Sequence, residues 1–432
     1  MQRRGFQLLL DAAQREYAPI VELWNSSAGV RHDVLHSALR SELERQAMIN
    51  LVASESRPST SIMLASAFPG YTQTVEGLAG RRWYPGSNGI DEIEELANES
   101  AQKVFGYSGG NVQPHSATGA IQAVYLAALK PGDTILAPAF LSGGHLSHGA
   151  KNSLAHQLYK IETYSVPSFE SSFLLEDIER KIRTLKPSLV IGGFSAYPRE
   201  FPFAEVASIV KDVGSCFMAD ISHSAGLVAA GIHAPVSSSQ FCVFSTHKTL
   251  CGPRAGVVLC ESENQRRIDI AVFPAIQGAL FPNMMAAKAL CLAQASSVEF
   301  RDLQRTIVQN ARALAAVFSS ERIPMFTGGT DSHLLLIQMD PNRDSKRDVA
   351  RLERVGILTN ANYVHGDSLR SGIMSGIRMG TTWISQLGFK PRQVTQLGHV
   401  VVETLQSNGD QDGPLRRRLE KIVEDALNNS TR

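Results

Sequence analysis

The stretch 245-STHKTLCGPRAG-256 sets Lys248 between a histidine and a threonine, straight after the apolar run Phe241 to Phe244 and just before a glycine, a proline and Arg254. A lysine in a turn that closes a strand is either a solvated side chain or an amine held rigidly where its pKa falls and its nitrogen can attack a carbonyl. Working outward, short β-rich runs alternate with helical stretches from about residue 95 to residue 280: "DTILAP", "SLVIGGF", "SCFMAD", "FCVFST" and "AGVVLC". Near-continuous apolar strands separated by helices predict a parallel or mixed sheet covered on both faces, with ligands bound beyond the carboxyl ends of its strands.

The chain has 432 residues, 43% of them hydrophobic and 19% charged, with a net charge of +1. It can bury a large core and divides into more than one domain. Interspersed acids and bases leave no footprint for nucleic acid or an anionic membrane, which points to small-molecule chemistry. Cys216, Cys242, Cys251, Cys260 and Cys291 show no CxxC spacing and lie mostly in apolar segments, so they are expected to be reduced thiols of a cytoplasmic protein. The N-terminal apolar stretch is short and interrupted by Asp11 and Glu16, which fits neither a signal nor a transit peptide.

The expected organisation is a helical arm over residues 1–45, a large domain over 46–300 and a small α+β domain over 301–432. The arm is broken near "SSAGV", and such arms often dock on a partner subunit. Residues 283–320 carry apolar positions at helical spacing, enough for one or two long helices. After them "HLLLIQM", "ILTN" and "SGIRMGT" read as strands, "SKRDVARLERVG" and the segment after Lys390 as helices, and the tail after Gly409 as polar and peripheral.

Chemistry-bearing residues follow one another in a definite order. In 111-NVQPHSATGAIQAVYLAAL-129 the small residues Ser116, Ala117 and Thr118 open an apolar helix whose free N–H groups suit a phosphate or simply form a cap. In "LSGGHLSHG" two glycines admit close backbone approach before His145, which could stack on a ring or sit satisfied in the core. "CFMADISHSAG" ends an apolar strand on Asp220, a carboxylate able to pair with a protonated ring nitrogen or to cap a helix, and then offers His223. Lys248 comes 28 residues after Asp220, and "SGIRMGT" places Arg378 in a β-like segment, as a bidentate carboxylate clamp or an ordinary ion pair. This order of parts is that of aminotransferase-like pyridoxal phosphate enzymes, in which Lys248 would be the Schiff-base lysine, with His247 and Arg254 lowering its pKa and holding the phosphate.

Over residues 40–405 the chain resembles serine hydroxymethyltransferase. The stretches that carry the resemblance are "LVASES", "EGLAGRRWYPG", "NVQPHSATGA", "GGHLSHG", "IGGFSAY", "ADISHSAGLVAAG", "THKTLCGPRAG", "AVFPAIQG" and "SGIRMGT". It implies an aminotransferase-like fold: a large domain with a mixed, mostly parallel seven-stranded sheet and a small C-terminal domain. It further implies a homodimer or dimer of dimers with shared sites, pyridoxal 5'-phosphate as cofactor and tetrahydrofolate as one-carbon co-substrate. By resemblance Lys248 carries the cofactor, Asp220 pairs with its ring nitrogen and His145 stacks on its ring. Ser116, Ala117, Thr118 and His247 cradle its phosphate, and Ser195 and His223 lie near its phenolic oxygen. Arg378, Ser54 and Tyr84 match positions that meet the substrate carboxylate, the tyrosine coming from the neighbouring subunit in relatives. Glu76 matches the acid/base glutamate, and Glu76, Phe140, Leu146 and Asn360 mark the expected folate site.

Several positions depart from the family pattern. Where relatives read "KYAEGYPGKRYYGG" this chain reads "QTVEGLAGRRWYPG", so a tyrosine near cofactor and substrate is Thr74; Ile121 replaces an asparagine, and Phe140 and Ser142 enter near the folate channel. The freed volume beside Cα suits an α-methyl substrate, predicting conversion of α-methylserine to D-alanine. Ordinary serine/glycine interconversion, a folate-independent aldolase or threonine transaldolase, and a non-catalytic cofactor-fold interaction protein are the alternatives.

Overall fold

A computed structural model describes residues 5–11, 14–15, 18, 22, 33–166, 175–407 and 411–430. The apolar runs form a seven-stranded sheet: β1 (Gly109–Asn111), β2 (Thr134–Pro138), β3 (Lys160–Tyr164), β4 (Leu189–Gly192), β5 (Cys216–Asp220), β6 (Phe241–Ser245) and β7 (Gly256–Cys260). Their order is β1-β7-β6-β5-β4-β2-β3. Strands β2 to β6 run parallel, while β7 is antiparallel to both neighbours. Strands β4 to β7 are buried at almost every residue, as continuous apolar runs require of a sheet packed on both faces. One apolar cluster built around Val190, Phe217 and Phe244 fills one face, and another around Tyr125, Met218 and Val243 fills the other.

Two strands had no strong signal in the sequence. β1 reads Gly-Gly-Asn, and β3, Lys-Ile-Glu-Thr-Tyr, is largely exposed at the sheet edge. Both owe their conformation to pairing with a neighbour rather than to their own apolar pattern.

The apolar stretch after 282 divides into two helices, Pro282–Gln294 and Val298–Ser320, because Ser297 caps the second: its Oγ accepts the Phe300 N–H at 3.1 Å. Beyond them lies an antiparallel sheet of β8 (Leu334–Gln338), β9 (Asn360–Asn362) and β10 (Gly376–Gly380), with β10 central. The strand Ile49–Asn50 pairs in parallel with Ile357–Leu358, so the chain touches this smaller core before it enters the large sheet. Two further segments join that core. Phe6 and Leu9 of the N-terminal helix are buried there, and the Arg416 guanidinium lies 5.0 Å over the Phe6 ring. The tail expected to be peripheral is a helix, Asp412–Ser430, that buries Leu415, Leu419, Ile422, Val423 and Ala426 in the same core. Its charges occupy one face and its apolar residues the other, a period easily lost in a highly charged segment. The "SSAGV" break lies outside the described residues. The five cysteines are free thiols, and no described helix is long and apolar enough to cross a membrane.

Candidate active site

The carboxyl ends of β4, β5 and β6 open onto a cavity of about 480 Å³. Ser54, Ser116, Ala117, Thr118, His145, Ser195, Asp220, His223, His247, Lys248 and Arg378, all singled out in the sequence, line it. So do His115, Ile121, Phe194, Ser222, Ser245, Arg254 and Ala255. Three cations, Lys248, Arg254 and Arg378, thus face a single carboxylate, Asp220, and the space favours an anionic ligand.

Asp220 and Arg378 are held from behind. Asp220 is the last residue of β5, where the parallel pairing with β4 and β6 fixes its backbone. Its Oδ2 lies 2.8 Å from His148 Nε2, and its Oδ1 accepts the Ser222 N–H at 2.9 Å. Burial alone would raise this carboxyl; the bonds from His148 and Ser222 outweigh burial and hold it well below the ordinary carboxylate range. An ionised Asp220 only accepts, so His148 donates from Nε2, while its Nδ1 faces the His145 N–H at 3.5 Å. His148 was not singled out in the sequence; its only signal there is the spacing His145-x-x-His148 in a loop already marked for its glycines.

Lys248 sits in the turn after β6. Burial lowers its amine to about 8, Asp220 opposing and Arg378 and Arg254 adding to the shift. Burial, then the neighbouring His148, takes the His145 ring down to about 4; its Nδ1 lies 2.6 Å from Ser147 Oγ. His247, lowered to about 3 by burial and by Arg254 and Lys248, keeps a buried Nδ1 without a hydrogen-bond partner. His223 is also neutral, through burial and the nearby Lys248 and Arg378, and its Nδ1 lies 3.4 Å from His333 Nε2.

The helix Ala117–Ala128 points its N-terminus at the cavity. Ser116 caps it, its Oγ accepting the Gly119 N–H at 3.1 Å, and the first-turn amides have no carbonyl within the helix to bond. The start of β7 presses against this cap so closely that a Cβ at Gly256 would collide with the Ser116 carbonyl. On the far side Arg378, in the middle of β10, donates from Nε to Asn360 Oδ1 at 3.1 Å and from NH1 to the Ser195 carbonyl at 2.7 Å. Burial brings its guanidinium down to about 10, and it stays charged at neutral pH.

Six candidates lie outside this lining. Asn360 braces Arg378, Leu146 lines a neighbouring cavity that shares His145 and Thr118, and Phe140 meets the Tyr363 ring edge-on at 5.8 Å. Glu76 is half-buried beside Gly278, Thr74 is exposed, and Tyr84 is 46% exposed. A buried network carries this segment: Arg82 pairs with Asp91 and Glu94, and Gln113 Nε2 donates to Glu94 Oε1 at 2.8 Å and to the Gly77 carbonyl at 3.0 Å. Around it Tyr71, Trp83 and Phe281 are all at least half exposed.

A mostly parallel sheet with its ligand cleft at the strand ends, an ionised aspartate at the end of one strand and a lysine in the turn after the next is the architecture of the aminotransferase-like class, enzymes built around pyridoxal phosphate. Within that class, a sequence model of serine hydroxymethyltransferase matches residues 30–401. The chain is 38% identical over 404 residues to a 2-methylserine hydroxymethyltransferase of a Paracoccus species, covering 93% of this chain and 95% of that one. It is 39% identical over 366 residues to a serine hydroxymethyltransferase of Coprothermobacter proteolyticus, covering 84% and 88%. The chain belongs to the serine hydroxymethyltransferase family and is a hydroxymethyltransferase.

Proposed function

We propose that the cavity holds pyridoxal 5'-phosphate on Lys248, and that the protein moves a hydroxymethyl group between a serine-type amino acid and tetrahydrofolate, with α-methylserine and D-alanine as the preferred amino-acid pair. The observation that carries the site assignment is the buried Lys248 amine, lowered to about 8, in one cavity with ionised Asp220 and Arg378. The donor set suits the cofactor. Open amides at the helix cap, Arg254 and the unpartnered Nδ1 of His247 offer hydrogen bonds and charge to a phosphate. Bound there, the cofactor supplies an electron sink for the bond broken at Cα.

The protein's own groups do the rest. Asp220, kept ionised by His148 and Ser222, holds a proton on a ring nitrogen; the neutral His145 imidazole offers a flat face to an aromatic ring. Lys248, half free near pH 8, can attack a carbonyl and later take or return a proton. Arg378, fixed by Asn360 and Ser195, binds the substrate carboxylate, and Ser54 lies at the same wall. Glu76 is the proton carrier for the substrate hydroxyl. Because Glu76, Thr74 and Tyr84 sit on a segment surrounded by exposed apolar side chains, we assign them to the site of a second copy in a homodimer. Residues 46–300 act as the cofactor-binding domain and 301–432 as the substrate-clamping one. Folate, bounded by Phe140, Leu146, Asn360 and Glu76, accepts the one-carbon unit in the cytoplasm.

Two observations support the α-methyl preference: Thr74 in place of a tyrosine, and the likeness to the Paracoccus enzyme. The likeness to the Coprothermobacter enzyme favours ordinary serine/glycine exchange equally. Incubating the purified protein with α-methyl-L-serine, L-serine, D-alanine or L-threonine, with and without tetrahydrofolate, separates the readings. Folate-dependent release of D-alanine from α-methylserine is expected; turnover of serine alone sinks the preference. Restoring a ring by Thr74→Tyr is expected to lower kcat/KM for α-methylserine about 10- to 200-fold, the range for one misplaced group in a pocket, while sparing serine.

A further inference from the structure

Lys288 has no place in the chemistry above, yet it is 2% exposed in the middle of the helix Pro282–Gln294. A lysine buried this deeply usually pairs with a carboxylate. Among the described residues Lys288 forms no ion pair. Its ammonium instead donates to three backbone carbonyls: Val112, Pro114 at 3.3 Å and Gly256 at 3.1 Å. The nearest carboxylate it feels, Glu94, is already engaged by Arg82 and Gln113.

The three carbonyls are not a random set. Val112 and Pro114 belong to the segment that leads into the Ser116 cap, and Gly256 opens β7, the strand that presses against that cap and pairs, through Ser245, with the strand that ends just before His247 and Lys248. The Gly256 N–H donates to Pro114 O at 3.2 Å, so the same two segments are joined twice. An ammonium has three donors for three acceptors, a match that an apolar side chain or a shorter amide cannot reproduce.

We propose that Lys288 is a positioning residue for the cofactor's phosphate: it staples the segment before the helix cap to the start of β7 and so holds the anion-binding amides in register with the Lys248 turn. The inference rests on the reading of that cap as the phosphate site. Burial lowers the lysine to about 7, with Glu94 and Cys291 opposing the shift, and it is the three carbonyl acceptors that favour its charged form.

The test compares two ligands that differ only in the phosphate. Cofactor-free full-length protein, unaltered and as Lys288→Met and Lys288→Gln, is titrated with pyridoxal phosphate and with pyridoxal, and binding is followed by visible absorbance. In Lys288→Met the dissociation constant for pyridoxal phosphate is expected to rise about tenfold or more, the worth of a charged hydrogen bond, with Lys288→Gln intermediate. Pyridoxal is expected to change less than about twofold, as for a distant independent site. A folded Lys288→Met with an unchanged ratio of the two constants overturns the role of Lys288 alone. Equal affinity of the unaltered protein for both ligands overturns the phosphate reading itself. Should neither variant fold, amide hydrogen exchange of the unaltered protein decides: inorganic phosphate is expected to slow residues 112–118 and the turn around 288 together. Slowing confined to 116–118 overturns the staple.

Discussion

The cavity at the ends of β4 to β6 and the face that carries Thr74, Glu76 and Tyr84 are built in opposite ways. In the cavity the carboxylate and the guanidinium are braced by the same chain: His148 and Ser222 behind Asp220, Asn360 and Ser195 behind Arg378. The other face is braced from behind by Arg82, Glu94 and Gln113, but in front it exposes Trp83 at 68% and Tyr84 at 46%. One region is braced within a single chain, and the other, on the proposed assignment to a second copy, would become a site only when covered. On the proposed function, electron withdrawal and carboxylate binding would belong to the first, and hydroxyl proton transfer and substrate choice to the second.

The sharpest way to break this contrast is Lys248→Ala, which is expected to abolish both turnover and the borohydride-reducible cofactor adduct. A retained adduct on another residue would remove the cavity from the chemistry. Next comes Glu76→Gln, expected to lower kcat about 10²- to 10⁴-fold, as for loss of a proton carrier, with cofactor binding preserved. Unfolding equal amounts of these two inactive variants together and refolding the mixture is expected to recover up to about a quarter of the original activity, since half of the dimers then hold one intact site of two. No recovery would mean that Glu76 serves its own chain. A smaller effect is expected at the brace: His148→Phe leaves Asp220 buried with one bond fewer and is expected to weaken cofactor binding about 10- to 100-fold. If affinity is unchanged, Ser222 suffices to hold the carboxylate. The mildest probe is pH. Burial lowers Lys248 to about 8, and the ammonium cannot attack, so cofactor capture by the cofactor-free protein is expected to rise about tenfold per unit below pH 8 and level off above it. A profile that climbs steadily to pH 10 would show an amine with its ordinary pKa.

Much of the cavity was legible in the sequence because its parts sit at the ends of strongly apolar strands. "CFMAD" delivers Asp220 and "FCVFSTHK" delivers Lys248 by the same rule: a buried parallel strand ends, and the next polar side chain enters the cleft. His148 was not legible, because a histidine in a loop has no periodicity to say which group it faces. Lys288 was hidden for the opposite reason, lying in a helical pattern where a lysine reads as solvent-facing although its helix buries it. The tail helix Asp412–Ser430 was read as peripheral because its arginines dominate the composition, yet it buries five apolar side chains.

The sheet's central strands, the chemical types gathered at their ends and the family could all be read before folding, because strand burial and residue chemistry are local properties written in runs of a few residues. Packing in three dimensions was needed to show that His148 braces Asp220, that Lys288 joins two segments more than 140 residues apart, and that Glu76 stands outside its own chain's cavity. Those are contacts between distant parts of the chain, fixed by how helices and strands pack, and no local pattern encodes which carbonyl or carboxylate a buried cation will meet.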